Sequence, residues 1–175
     1  MPVTAAEIAA AIRNVPDFPK AGIQFKDITP VLAYARLFAG TIELLTENFL
    51  PGSIDAVAGI DARGFIFAAA AARQLKAGFI PIRKKGKLPF TTIEQDYALE
   101  YGQATVAMHT DALKPGARVL LIDDLLATGG TAGAAAALLT KLGADVREIV
   151  FLIELKFLDG RRQLKGFPVR SLVAY

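Results

Sequence analysis

The sequence predicts an α/β fold in which a central, mostly parallel sheet is flanked by helices. Three observations carry that prediction. From residue 55 onward, short apolar strand patterns alternate with small-residue helical patterns, as expected of successive βα units. The clearest strand, over 118–122, runs directly into two carboxylates, Asp123 and Asp124, and then into a glycine-opened helix. The 175 residues suit one domain over 1–175 and are enough to bury a sizeable core.

The elements follow in order. Thr4 and Glu7 have capping-box spacing, and Ile8, Ile12 and Val15 continue as an apolar stripe, which predicts a first helix ending near Asn14 ahead of Pro16 and Pro19. Residues 20–30 lack a helical period and contain Gly22 and Pro30, so a loop with a short extended piece is expected. Leu37, Phe38, Ile42, Leu45 and Phe49 recur at helical spacing up to the Pro51-Gly52 stop. Strands are then expected over 55–60, 78–82, 105–109, 118–122, 146–154 and 169–174. Helices are expected over 64–75 and 130–142. The stretch 84–97 reads as a long loop, a length typical of lids and binding loops.

Composition narrows the chemistry. Hydrophobic residues are 53% and charged residues 21% of the chain, and there is no cysteine. Disulfides, thiolate metal sites and cysteine nucleophiles are therefore excluded. The net charge of +3 is spread along the chain, too weak and dispersed to indicate nucleic acid. The one dense basic stretch is Arg83, Lys84, Lys85 and Lys87, which suits a phosphate-rich small molecule equally well. No stretch reaches the roughly 18 uncharged apolar residues of a membrane span. A soluble, unprocessed, cytoplasmic protein is expected. His109, the only histidine, reads as a solvated strand-end residue.

The most informative segment is Val119-Leu120-Leu121-Ile122-Asp123-Asp124-Leu125-Leu126-Ala127-Thr128-Gly129-Gly130-Thr131. In open α/β sheets ligands bind at the carboxyl ends of the strands. Glycines let backbone N–H groups converge on an anion, threonine hydroxyls add donors, and a helix N-terminus favours negative charge. Two carboxylates beside such a cradle would repel a phosphate but suit a hydroxyl-rich ribose diol. A phosphate pocket next to a diol pocket describes a ribose 5-phosphate. No Gly-Lys-Ser/Thr follows, so this is not a Walker loop.

This segment resembles the phosphoribosyl-diphosphate binding motif of the type I phosphoribosyltransferases, and the likeness extends over nearly the whole chain. The resemblance implies that family's fold, with a small base-binding hood over about 1–33 and a lid over about 84–101. It implies that Asp123 and Asp124 hold the ribose hydroxyls and that Ala127, Thr128, Gly129, Gly130 and Thr131 wrap the 5′-phosphate. It also implies Mg2+, riding on substrate oxygens and water rather than in a protein cage, and a homodimer.

Four further places narrow the resemblance to the adenine-using branch. Asp61, Ala62 and Arg63, at the expected helix start, match the pyrophosphate loop, with a cis peptide expected between Asp61 and Ala62; on residues alone an ordinary strand-to-helix turn competes. Gln24, Phe25 and Lys26 match the hood, where Phe25 would cover one face of adenine, Arg63 would pack near the other, and backbone around Gln24 would read the base edge. On residues alone Phe25 reads as a core anchor. Lys26 stands where many relatives carry arginine, keeping the cation without its planar fork. Arg83, Lys84 and Lys87 would meet the leaving diphosphate across a dimer interface; Phe90-Thr91-Thr92-Ile93 replaces the glycines many relatives carry there. Glu100 and Tyr101 would supply a general acid/base and a closing ring, although an edge strand with a surface glutamate fits them equally well.

The expected reaction is phosphoribosyl transfer from 5-phosphoribosyl diphosphate to adenine, giving AMP and pyrophosphate. The alternatives are transfer to a 6-oxopurine or orotate, or a non-catalytic regulator that senses phosphoribosyl diphosphate.

Overall fold

The computed structural model describes residues 2–98 and 102–175. Its N-terminus is laid out by local hydrogen bonding. Helix α1 (Ala5–Ala11) opens on the expected capping box: the Glu7 N–H donates to Thr4 Oγ1 at 3.2 Å and the Thr4 N–H to Glu7 Oε2 at 2.9 Å. The helix stops three residues earlier than its stripe suggests. Arg13–Val15 instead forms strand β1, antiparallel to β2 (Phe25–Asp27), with Val15 opposite Phe25. Pro16 disfavours helical backbone at Val15, and pairing with β2 satisfies the freed backbone groups.

Pro30 was expected to lie in loop. It sits instead in the first turn of a short helix, α2 (Thr29–Ala33), a position where its missing N–H costs nothing. The Asp27 carboxylate accepts from both the Thr29 N–H and its hydroxyl at 2.9 Å, fixing the turn into that helix.

Helix α3 (Ala35–Thr46) leads to strand β3 (Ala56–Ile60), helix α4 (Arg63–Leu75) and strand β4 (Gly78–Lys84). The residues read as a long loop are half strand: β5 (Thr92–Ala98) pairs antiparallel with β6 (Gln103–His109) as a hairpin arm. The segment 92–98 (TIEQDYA) mixes charges with β-formers and alternates partly buried and exposed positions, so its polarity hid a two-residue period. His109 is half-buried rather than solvated, its ring 6.2 Å from that of Phe90, with Nε2 buried and without a hydrogen-bond partner among the described residues. Strands β7 (Arg118–Leu126), β8 (Asp145–Glu154) and β9 (Val169–Ala174), with helix α5 (Gly130–Lys141) after β7, complete the set.

The main sheet has the order β5-β6-β4-β3-β7-β8-β9, parallel from β4 through β9 and antiparallel at the β5–β6 arm. Alternation along the strands builds two cores. Val57, Leu120, Ile122 and Val150 pack with α1 to α4 on one face; Ala58, Leu121, Ile149 and Phe151 pack with α5 on the other. The pairing of Ala58 with Leu121 and Gly59 with Ile122 sets the carboxyl ends of β3 and β7 side by side.

Candidate active site

Strand β7 does not end at the acid pair. It runs on to Leu126 because β8 continues beside it, pairing Asp123 with Phe151 and Leu125 with Ile153. Ile122 and Leu125 nevertheless pack into the same core, so the strand's two-residue alternation is broken across Asp123-Asp124. That break brings both carboxylates against the start of α4. Asp124 Oδ2 lies 2.8 Å from the Arg63 guanidinium, and Asp123 Oδ1 lies where a Cβ on Gly64 would fall, 2.5 Å from it. Only glycine at position 64 leaves room for that carboxylate.

Electrostatics sets the two acids apart. Burial pushes the Asp123 carboxyl well above the ordinary carboxylate range, and the neighbouring Asp124 charge adds to the shift. Burial raises Asp124 as well, opposed by the Arg63 guanidinium. Asp124 Oδ2 is buried and has no hydrogen-bond partner among the described residues, so the contact with Arg63 is one of charge rather than of a directed hydrogen bond. Asp123 Oδ1 accepts the Asp124 N–H at 2.9 Å.

Two helix N-termini face this end of the sheet. Helix α4 starts after Ala62 and α5 after Gly129, and among the described residues neither has a side-chain cap, an arrangement that suits an anion at either start. Gly129, at φ +82°, turns the chain into α5. Residues Ala127 to Thr131 line a concavity of about 80 Å³ together with Asp123. The Asp61–Ala62 peptide is cis, as the sequence resemblance implied.

Other expected residues divide into those the fold gathers and those it does not. Phe25 is gathered: the Arg63 guanidinium lies 5.3 Å from its ring centroid, and Phe18 packs edge-on at 5.1 Å. Gln24 is exposed just ahead of β2. Lys26 is turned away, its ammonium 2.6 Å from Asn14 Oδ1 and 3.4 Å over the Tyr175 ring, because successive side chains of a strand alternate. Arg83 belongs to β4 and serves its own chain, bonding Asp61 Oδ2 at 2.8 Å and the Lys87 carbonyl at 3.0 Å. Lys84 and Lys87 are exposed, while Lys85 pairs with Glu94 at 2.6 Å. Glu100 and Tyr101 lie outside the described residues.

Two contributors carry no signal in residue spacing. The Tyr97 ring of β5 lies over Gly130, whose added Cβ would be 3.2 Å from it, so the hairpin arm rests on the first turn of α5. Behind the Ala127–Gly129 loop stands a 3-10 turn, Gly160–Leu164. A cavity of about 490 Å³ exceeds the site concavity in size, but it is lined by Asp55, Gly78, Phe79 and Ala117 at the amino ends of β3, β4 and β7, the sheet edge opposite the acids. Among the described residues, no cluster of three or more His, Cys, Asp or Glu could hold a metal ion by itself.

Comparison with known proteins agrees with this geometry. A model of the phosphoribosyl transferase domain matches residues 25–165. The adenine phosphoribosyltransferase of Acidothermus cellulolyticus is 54% identical over 166 residues, 95% of this chain and 94% of that one. The crystal structure of adenine phosphoribosyltransferase from Thermoanaerobacter pseudethanolicus superposes with a TM-score of 0.93 at 49% identity, covering 98% of this chain and 100% of the other. The Saccharomyces cerevisiae adenine phosphoribosyltransferase, complexed with an imino-altritol bisphosphate and adenine, gives 0.91 at 38% identity over 96% and 97% of the two chains.

Proposed function

The chain belongs to the phosphoribosyl transferase family, and we propose that its fold and site serve phosphoribosyl transfer from 5-phosphoribosyl diphosphate to adenine, giving AMP and pyrophosphate in purine salvage. One observation carries the reading: Arg63 touches Phe25 on one side and Asp124 on the other. Together with Asp123 lining the concavity of residues 127–131, these contacts support one track running from base to ribose to 5′-phosphate.

Each part has a role along that track. Main-chain N–H groups and hydroxyls of residues 127–131 hold the 5′-phosphate. Asp123 and Asp124 take the ribose hydroxyls, and the Asp61–Arg63 loop at the start of α4 takes the diphosphate, with Lys84 and Lys87 as further cations. Phe25 and Arg63 flank the base, and the backbone near Gln24 reads its edge. Glu100 and Tyr101 act from the lid over 84–101, with Glu100 as general acid/base. As diphosphate leaves, positive charge builds on the ribose ring, so the protein's work is positioning, charge stabilisation and exclusion of water.

Magnesium fits the chemistry of the donors present: Asp123 and Asp124 offer hard carboxylate oxygens, and Asp123 lines the concavity of residues 127–131. When bound, the ion would neutralise charge on the diphosphate, and the two aspartates would steady it mainly through the diol and water. A homodimer is proposed from the family resemblance. The cytoplasm is the proposed location; no helix among the described residues is long and apolar enough to cross a membrane. Pyrophosphate release measured with magnesium, phosphoribosyl diphosphate and each nucleobase in turn tests the assignment. Release with adenine supports it, and release with another base alone refutes it.

A further inference from the structure

The 3-10 turn Gly160–Leu164 follows β8 and backs directly onto the loop that leads into α5. The contact is reciprocal. A Cβ on Gly129 would land on the Gly160 carbonyl oxygen, and a Cβ on Gly160 would land on the Ala127 carbonyl, 2.9 Å from Leu126 Cδ1 and 3.1 Å from the Gly129 nitrogen. One turn further along α5, a Cβ on Gly133 would sit 3.2 Å from the Gln163 carbonyl. Gly129 and Gly133, one helical turn apart, thus make a backbone-to-backbone seat with the distant Gly160.

The turn is the stiffer side of that seat. Arg161 bridges Glu154 with two contacts of 2.7 Å, and Glu154, only 5% exposed, also accepts from Ser171 Oγ. Arg161 donates to the Val169 carbonyl at 2.9 Å, and the Leu155 N–H donates to the Leu126 carbonyl at 2.9 Å. A group added at Gly160 therefore presses on the Ala127 carbonyl and the Gly129 nitrogen from a turn tied at Arg161.

We propose that Gly160 is a positioning residue for the 5′-phosphate: the turn fixes the height of the Ala127–Gly129 backbone, and with it the aim of the N–H groups at the start of α5. This rests on reading residues 127–131 as the phosphate cradle. It predicts that Gly160→Ala weakens ligands carrying the 5′-phosphate by about tenfold, the loss of roughly one charge-assisted hydrogen bond, while sparing the diphosphate end.

Calorimetric titration of the full chain with ribose 5-phosphate and, separately, with inorganic pyrophosphate tests it. The expected result is a tenfold weaker ribose 5-phosphate Kd, an unchanged pyrophosphate Kd, and a KM for phosphoribosyl diphosphate that rises more than kcat falls. Leu75→Ala, a buried core position at the C-terminal end of α4, serves as a control that loses stability without changing either Kd. Equal weakening of both ligands, or lost stability with both affinities intact, would overturn the proposal. If Gly160→Ala does not fold, Arg161→Gln replaces it; unclamping the turn should weaken ribose 5-phosphate alone, and no change there counts against the idea. Thr128→Ala and Thr131→Ala separate the two readings. If these leave ribose 5-phosphate binding untouched, the cradle assignment itself is wrong; if they weaken it and Gly160→Ala does not, only the role of Gly160 falls.

Discussion

Arg63 closes on Asp124 at 2.8 Å while its guanidinium also rests 5.3 Å from the Phe25 ring centroid. The cation thus neutralises one ribose acid and leans on the base end of the site. Removing it should do two separable things. Arg63→Ala leaves Asp124 buried without a counter-ion, costing about 1–3 kcal/mol, less than a fully buried pair because the Arg63 side chain is 37% exposed. It also removes the flat partner of the base. Arg63→Lys should recover much of the stability but not the adenine KM, since an ammonium does not stack as a guanidinium does. Thermal unfolding and steady-state kinetics on both variants check this; parallel recovery of both properties would contradict it.

The raised Asp123 carboxyl makes a pH prediction. A carboxyl whose folded pKa exceeds its unfolded value binds its proton more tightly when folded. Below the unfolded value, near 3.9, both states are protonated and nothing is lost. As pH rises from there through the folded value, ionised Asp123 increasingly destabilises the fold. Asp123→Asn should therefore unfold at a higher temperature than the unmutated chain at pH 8, with the gap closing towards pH 4. A gap that widens on acidification would refute the sign. In the same buffers, Asp123→Asn combined with Asp124→Asn should lower turnover by about 10²-fold or more, as expected when charge-stabilising groups are removed.

The sequence disclosed more of the site than of its framing. The Thr128–Thr131 run and the Asp61–Arg63 loop were legible as candidates because each lies between a strand and a helix start, where spacing itself carries chemistry; Asp123 and Asp124 were legible as a pair of acids after an apolar run, although β7 continues past them to Leu126. The seven-stranded order was only partly legible, since the β5–β6 arm is polar and its period is masked by charges. Lys26 and Arg83 are expected at the substrate from the family resemblance; the contacts they make in the fold, Lys26 with Asn14 and Tyr175 and Arg83 with Asp61, are tertiary pairings that spacing does not reveal. The Gly160 turn left no trace in spacing, because its contact with Gly129 is made through backbone between segments 31 positions apart.

Arg83's bond to its own chain's Asp61 sharpens the expectation of a site shared between subunits. Arg83→Ala should fail in cis by freeing the diphosphate loop, whereas Lys84 and Lys87 are exposed and free to act across an interface. Mixing a Lys84→Ala/Lys87→Ala variant with an Asp123→Asn/Asp124→Asn variant should restore roughly a quarter of full activity, from one intact site in the half of dimers that are mixed. Adding Arg83→Ala to the acid variant should leave that recovery unchanged. No recovery after verified subunit exchange would place the lysines outside the partner's site.

Hydrogen exchange should distinguish the arm from the rest of the lid. Strand β5 is held by Lys141, whose ammonium is 2.7 Å from Gln95 Oε1, and by Tyr97 over Gly130. Its amides should exchange slowly before any ligand is added. Slowing on addition of phosphoribosyl diphosphate and a base analogue should then concentrate in residues 85–91 and in the peptide spanning Glu100 and Tyr101. Equal slowing across β5 would mean that the arm detaches and redocks as a unit.

Base choice follows from edge chemistry at the hood. Adenine presents a 6-amino donor beside the N1 acceptor; 6-oxopurines present an acceptor beside an N1–H donor. Fixed backbone groups near Gln24 cannot satisfy both without leaving buried polar atoms unpaired, a mismatch worth roughly 10⁴-fold in kcat/KM when a site is built to hydrogen-bond its substrate. The Gln24 side chain is exposed, so Gln24→Ala should preserve that preference. Phe25 is different: Phe18 holds its ring edge-on, the proposed base enters between its face and Arg63, and stacking is indifferent to which atoms donate. Phe25→Ala should therefore raise KM for adenine and hypoxanthine by the same factor, leaving their ratio unchanged. The ratio of kcat/KM for the two bases, measured across the three proteins, separates edge reading from stacking. A ratio that collapses in Gln24→Ala would move the reading from backbone to side chain, and equal use of both bases by the unmutated chain would remove the adenine assignment while leaving phosphoribosyl transfer in place.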